Sequence, residues 1–217
     1  MRVLREKVIF LSIFIFAVLA FVLVLSCQAF GLSCGFVSDN YLVLGTASIH
    51  LGILSLALFL LWKGDIRSTL KSLGIPGDLK KNIIYTFLAL VAMFIVSFII
   101  GLASLYFGFN DQEKIAEKIS DLPLAMLLAA AVLAPIGEEL FFRASLVPRM
   151  GAVLSSLIFG AVHLTYGSVV EIIGAVFLGL VLAVTYQRSK SIIPSIASHI
   201  IYNSISIAVM LLFQGMA

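Results

Sequence analysis

Leu122-Pro123-Leu124-Ala125-Met126-Leu127-Leu128-Ala129-Ala130-Ala131-Val132-Leu133-Ala134-Pro135-Ile136-Gly137-Glu138-Glu139-Leu140-Phe141-Phe142-Arg143-Ala144-Ser145-Leu146-Val147 reads as a membrane span with two adjacent carboxylates inside it. Burying an ionisable group at the bilayer centre costs on the order of 2.5–3.5 kcal/mol by insertion scales. Two such groups side by side need a partner or a purpose. Working outward, the rest of the chain fits a membrane protein. It has 217 residues, 62% hydrophobic and 12% charged, against about 45–50% and about 25% in soluble domains. Apolar runs near span length recur along it, so the expected fold is all-α, a polytopic bundle of transmembrane helices. Nucleic acid is excluded as a partner, because the excess positive charge sits in loops flanking the apolar runs.

Seven spans are expected, within a range of six to eight: 8–30, 41–62, 82–107, 122–147, 151–166, 169–187 and 191–214. They form one integral membrane domain in which 1–121 supplies N-terminal spans and loops and 122–217 supplies a polar core. The loop 63–81 holds the turn signal Gly74-Ile75-Pro76-Gly77, and 108–121 has room for one amphipathic turn. In a seven-span chain eleven basic residues share one side. They are Arg2, Arg5, Lys7, Lys63, Arg67, Lys71, Lys80, Lys81, Arg149, Arg188 and Lys190. Only Lys114 and Lys118 lie opposite. The bias of lysine and arginine toward the cytoplasm puts the N-terminus inside. The first run is too long for a signal peptide's apolar region of about 7–15 residues. Cys27 and Cys34 near its outer end are expected either as a disulfide or as separate thiols.

Helix rise places the remaining polar groups. At about 1.5 Å per residue, Glu138 lies about 16 Å from Arg149, His163 about 18 Å from Gly151, and His199 and Asn203 about 12 and 18 Å from Ser191. Three helices thus bring carboxylate, imidazole and amide to one layer in the cytoplasmic half of the bilayer. Glu139 and Arg143 are four apart and can pair, while Glu138 points about 100° away. Pro135 removes a backbone donor and leaves a carbonyl unsatisfied near the site. Phe159 can wall one side of His163, and His199 and Asn203 share a face where both can donate to a developing oxyanion. His50 lacks an acidic neighbour in its own span and reads as structural. Glu171, near a span end, reads as an interfacial charge outside the site.

These residues form three motifs in order: Glu138-Glu139-Leu140-Phe141-Phe142-Arg143 fits EExxxR, Phe159-Gly160-Ala161-Val162-His163 fits FxxxH, and His199-Ile200-Ile201-Tyr202-Asn203 fits HxxxN. Over roughly 122–215 the chain resembles the CPBP family of CAAX proteases and bacteriocin-processing or immunity proteins, also called Abi. Within that family the chain resembles the type II CAAX prenyl endopeptidases. It implies an intramembrane endopeptidase, expected in the plasma membrane of a prokaryote, acting on a membrane-associated protein or peptide: a prenylated CAAX-type substrate or, in a prokaryote, a peptide leader or another membrane protein. Glu138 would activate a water, His163 would hold that water or share its proton, and His199 and Asn203 would stabilise the oxyanion. Glu139 and Arg143, with Phe159, would support them. Glu138, His163 and His199 are also a conceivable zinc set with water as fourth ligand, but no tightly bound metal is expected. Two other readings stay open: a non-enzymatic adaptor or bacteriocin-immunity protein that keeps the motif for structure, and a transporter using a buried carboxylate as proton relay.

Overall fold

The structure, a computed structural model, describes residues 2–29, 41–109, 111, 113–120 and 122–214. All regular elements among them are helical. Six stretches are long and apolar enough to cross a membrane, and the molecule is an integral membrane protein of helices. The chain divides into two compact units, Met1–Thr69 and Leu70–Ala217.

The first unit is a pair of helices, α1 (Arg2–Ala29) and α2 (Tyr41–Leu61). They meet through small residues: a Cβ on Gly52 would lie 3.6 Å from the Ala17 Cβ, and one on Gly45 would lie 3.6 Å from Val24. Helices in lipid gain from packing rather than from expelling water, so small residues that admit close backbone approach supply the interface. Hydroxyls inside the pair bond back to their own helix, as Ser12 to the Val8 carbonyl and Ser55 to the Leu51 carbonyl. Charge stays at one end, where Trp62 Nε1 donates to Glu6 at 2.8 Å and Arg2 pairs with Glu6 at 3.0 Å. Cys27 is buried and disulfide-bonded; Cys34 lies outside the described residues. A short helix, α3 (Ile66–Ser72), follows. Asp65 caps it, and the hydrogen bonds from Ser68 hold the Asp65 carboxyl below its usual range.

The second unit begins with α4 (Leu79–Phe107), capped by Asp78, whose side chain accepts from Lys81 N, and closed by Gly108 in the left-handed region. Before it, the Leu73–Gly77 turn fits against the turn after Ser189. Ile192 N donates to Leu73 O at 3.0 Å, and a Cβ on Gly74 would lie 2.1 Å from the Lys190 carbonyl oxygen. Position 74 therefore admits no side chain. The loop 108–121 holds two turns of helix, α5 (Glu113–Ser120).

Next comes the stretch that decided the sequence reading. It runs through α6 (Leu124–Leu128), a π-helical segment π1 (Ala129–Leu133), α7 (Ala134–Glu138), a second one π2 (Glu139–Leu146), and α8 (Val147–Val162). By length and composition this is one candidate span, Leu124–Val162, where the sequence suggested spans at 122–147 and 151–166. The two arms nonetheless fold back on each other. Gly151 adopts φ 83° and ψ 168°, a region essentially reserved for glycine. A straight helix would separate Phe142 from Phe159 by about 25 Å, yet their rings stand 5.0 Å apart. Ser155 Oγ also donates to the Phe142 carbonyl at 2.7 Å. Six spans by count fall within the expected six to eight, because the fourth and fifth expected spans are joined by a glycine turn rather than a loop. The chain ends with α9 (Val169–Ser189) and α10 (Ile193–Gln214).

Candidate active site

The site grows from the two π-helical segments. In π1 the hydrogen bonds run one residue longer than in an α-helix: Ala134 N donates to Ala129 O. Continuing that register, residue 135 would donate to Ala130 O, but Pro135 has no N–H. The freed Ala130 carbonyl is taken instead by Asn203 Nδ2 of α10, at 3.3 Å. The proline thus marks a freed carbonyl, and the π register decides which residue carries it. Such segments occur frequently at functional sites.

π2 carries the two carboxylates into different surroundings. Glu139 and Arg143 are completely buried, with Arg143 Nε 3.2 Å from Glu139 Oε2. That approach is an ion pair whose angles fall short of a hydrogen bond, and Nη1 and Nη2 of Arg143 have no hydrogen-bond partner among the described residues. The guanidinium lies instead over the Phe159 ring, 4.4 Å from its centroid, a favourable placement for a cation against an aromatic face. Glu139 accepts a second contact through Oε1, from His199 Nδ1 at 3.0 Å. Glu138 has a side chain 13% exposed, and its Oε2 lies 3.8 Å from His199 Nε2. One imidazole therefore spans both carboxylates. One of them is locked in an ion pair. The other can reach a substrate.

Phe159 is the hub of this arrangement. Its ring meets Phe142 at 5.0 Å, His163 at 4.7 Å and His199 at 6.0 Å. His163 closes α8 and opens a turn of 3-10 helix, His163–Tyr166. Its Nδ1 bonds to the Phe159 carbonyl oxygen at 2.7 Å. A carbonyl only accepts, so Nδ1 carries the proton. Nearby hydroxyls are buried and satisfied locally: Ser195 donates to Leu182 O and Ser198 to Pro194 O. Unpaired polar groups in lipid are costly, and these serines avoid that penalty.

Of the residues singled out from sequence, Glu138, Glu139, Arg143, Phe159, His163 and His199 are drawn together around the Phe159 ring, and Asn203 joins them through Ala130. His50 lies on α2 in the first unit. Glu138, His163 and His199 do not form a metal-binding set: no group of three or more His, Cys, Asp or Glu among the described residues is placed to hold an ion. Sequence reasoning missed the hub role of Phe159. The glycine spacing on α8 and α9 is the signal that could have found it. A Cβ on Gly160 would meet Ile172 O and Val176, and one on Gly179 would meet Phe159 and Ser156.

Comparison with known proteins adds one finding. Residues 120–205, less than half of the chain, match the family described as type II CAAX prenyl endopeptidase Rce1-like. Neither the curated proteins nor the solved structures gave a match. The matched stretch contains all seven residues assembled here.

Proposed function

We propose that this protein is an intramembrane endopeptidase that hydrolyses a peptide bond in a membrane-associated substrate, of the class bearing a prenylated CAAX-type tail. The observation that carries the reading is the contrast between the two carboxylates. Glu139 is spent on Arg143 and His199, whereas Glu138 stays partly open beside the outward nitrogen of His199. A general base must reach the proton it removes, directly or through one water.

The chemistry follows from these positions. Glu138 takes a proton from a water, with His163 Nε2 holding that water or sharing the proton. The water oxygen bonds to the scissile carbonyl carbon. The resulting oxyanion is met by the second N–H of Asn203, whose first is on Ala130 O, and by Nε2 of His199 in its doubly protonated form, with Nδ1 still donating to Glu139. The carbon–nitrogen bond then breaks, and the leaving amine takes the proton back from Glu138. Glu139 fixes the His199 ring by accepting from Nδ1, and Arg143 balances the Glu139 charge inside the bilayer. The eleven-to-two distribution of basic residues supports a cytoplasmic N-terminus and a site opening toward the inner leaflet of a prokaryotic plasma membrane. Residues 122–217 are the catalytic core in this reading.

Glu138→Gln tests it. The full chain in lipid, given a prenylated peptide with a free C-terminus, should cleave about 10²–10⁴-fold more slowly when the base is lost, with folding intact. Protein termini in host membranes should show cuts that disappear in the variant. Undiminished cleavage by Glu138→Gln would overturn the assignment. Identical termini, with the biological phenotype kept, would favour an adaptor.

A further inference from the structure

Ser97 of α4 makes a contact that the proposed chemistry leaves unused. Its Oγ stands 2.6 Å from the hydroxyl of Tyr202 on α10. Serine hydroxyls inside a helix commonly turn back to their own backbone. Ser12, Ser55, Ser104 and Ser204 do so here, each donating to a carbonyl three or four residues earlier. Ser97 reaches across to another helix. Phe94, three residues before it on α4, backs the same phenol, with ring centroids 5.3 Å apart. Positions three apart share a helix face, so one face of α4 holds both the ring and the hydroxyl of Tyr202.

Tyr202 lies between two residues of the site. His199 comes three positions before it and Asn203 one after, and together they span about 6 Å of helix axis. Each is tied to a different segment. His199 meets Glu139 of π2 at 3.0 Å, Asn203 meets Ala130 of π1 at 3.3 Å, and Tyr202 meets Ser97. The first two anchors leave α10 free to pivot about the line that joins them. The third, about 100° round the helix from Asn203, removes that freedom.

We propose that Ser97 and Tyr202 are a positioning pair for Asn203. Their contact fixes the rotation of α10, and with it the direction of the second Asn203 N–H. The inference rests on the reading of Asn203 as an oxyanion donor. Such a donor serves only when it lies about 2.7–3.1 Å from where the charge develops, and its supports must hold it to within about 0.5 Å. The two hydroxyls transfer no proton and act through Asn203 alone. Ser97 lies outside the matched stretch 120–205, so α4 gains a share in the site.

The full chain in lipid nanodiscs, given a prenylated peptide, tests this. Tyr202→Phe keeps the ring and removes its hydroxyl, and Ser97→Ala removes the partner. We expect each to lower kcat about 10-fold, short of the roughly 100-fold that a misplacement of about 1 Å costs, with KM unchanged. The two together should cost no more than one, and Ser97→Thr, which keeps the hydroxyl, should retain most of the rate. In Asn203→Ala protein, Ser97→Ala should cost nothing further, since residues acting as a unit are not additive. Unchanged kcat in Tyr202→Phe, or equal losses with and without Asn203, would overturn the proposal and leave the contact as interhelical adhesion. A second readout does not depend on cleavage. The side-chain amide resonances of Asn203, recorded in Glu138→Gln protein, should move with Ser97→Ala and should not move with it in Tyr202→Phe protein. Resonances that stay in place, or move equally in both, overturn the pairing whether or not the protein is a protease. The expected movement without cleavage by the wild type would sustain the positioning and retire the protease reading.

Discussion

The helix pair at 1–69 and the bundle at 70–217 face the same apolar surroundings and handle charge in opposite ways. In the pair, Arg2 and Glu6 stand near a helix end, and the Arg2 side chain is 82% exposed. Its buried positions go to small and apolar residues such as Ala17, Ala57, Val24, Leu61 and Ser55. In the bundle, Glu139 and Arg143 are fully buried beside Phe142 and Phe159. A structural span keeps ionisable groups where they reach the interface. A span that holds them inside must pair them, and the pairing seldom gains net stability over apolar residues of the same volume. The buried triad Arg143, Glu139 and His199 is therefore better explained by what it positions than by what it stabilises.

That contrast is open to attack. Its sharpest break is Arg143→Ala, which strands the Glu139 carboxylate in a dry interior and should destabilise the bundle by about 3–5 kcal/mol. Reversible unfolding in mixed micelles would measure it. Arg2→Ala, by the same assay, should leave the curve unmoved. Equal effects at the two arginines would erase the distinction between the regions.

Gly151→Ala probes the hairpin that brings Phe142 against Phe159. Its backbone conformation excludes a side chain, so a loss of about 1–3 kcal/mol is expected. Gly52→Ala in the helix pair meets only ordinary contacts at 3.6 and 3.8 Å and should stay within about 0.5 kcal/mol of wild type. A large effect at Gly52 would mean that the pair is packed as tightly as the bundle. Asn203→Ala falls between the two. It removes the hydrogen bond to Ala130 O, worth about 1 kcal/mol, while also withdrawing a proposed oxyanion donor. Activity should thus fall by more than stability alone predicts, and parallel losses would assign Asn203 a purely structural role.

Much of the site was legible before any coordinates. The spacing Glu139–Arg143 foretold the ion pair, the 100° offset foretold that Glu138 would stand apart, and Pro135 foretold a freed carbonyl. These are properties of a single helix, which the chain fixes locally. What lay outside that reach came from departures from the regular helix or from other helices. The π register moved the free carbonyl to Ala130. Gly151 turned one apolar run into two arms.

The sequence by itself determined that this is a helical membrane protein and which of its buried ionisable residues pair within a helix. Composition and periodicity suffice for that, because lipid forces every backbone group into a helix and every buried charge to stand out. Only the tertiary structure decided which atoms meet. His199 bridges two carboxylates, and Phe159 gathers four side chains. These contacts join residues tens of positions apart, or on opposite sides of a turn, and depend on how closely glycines let neighbouring helices approach. No local pattern records that distance.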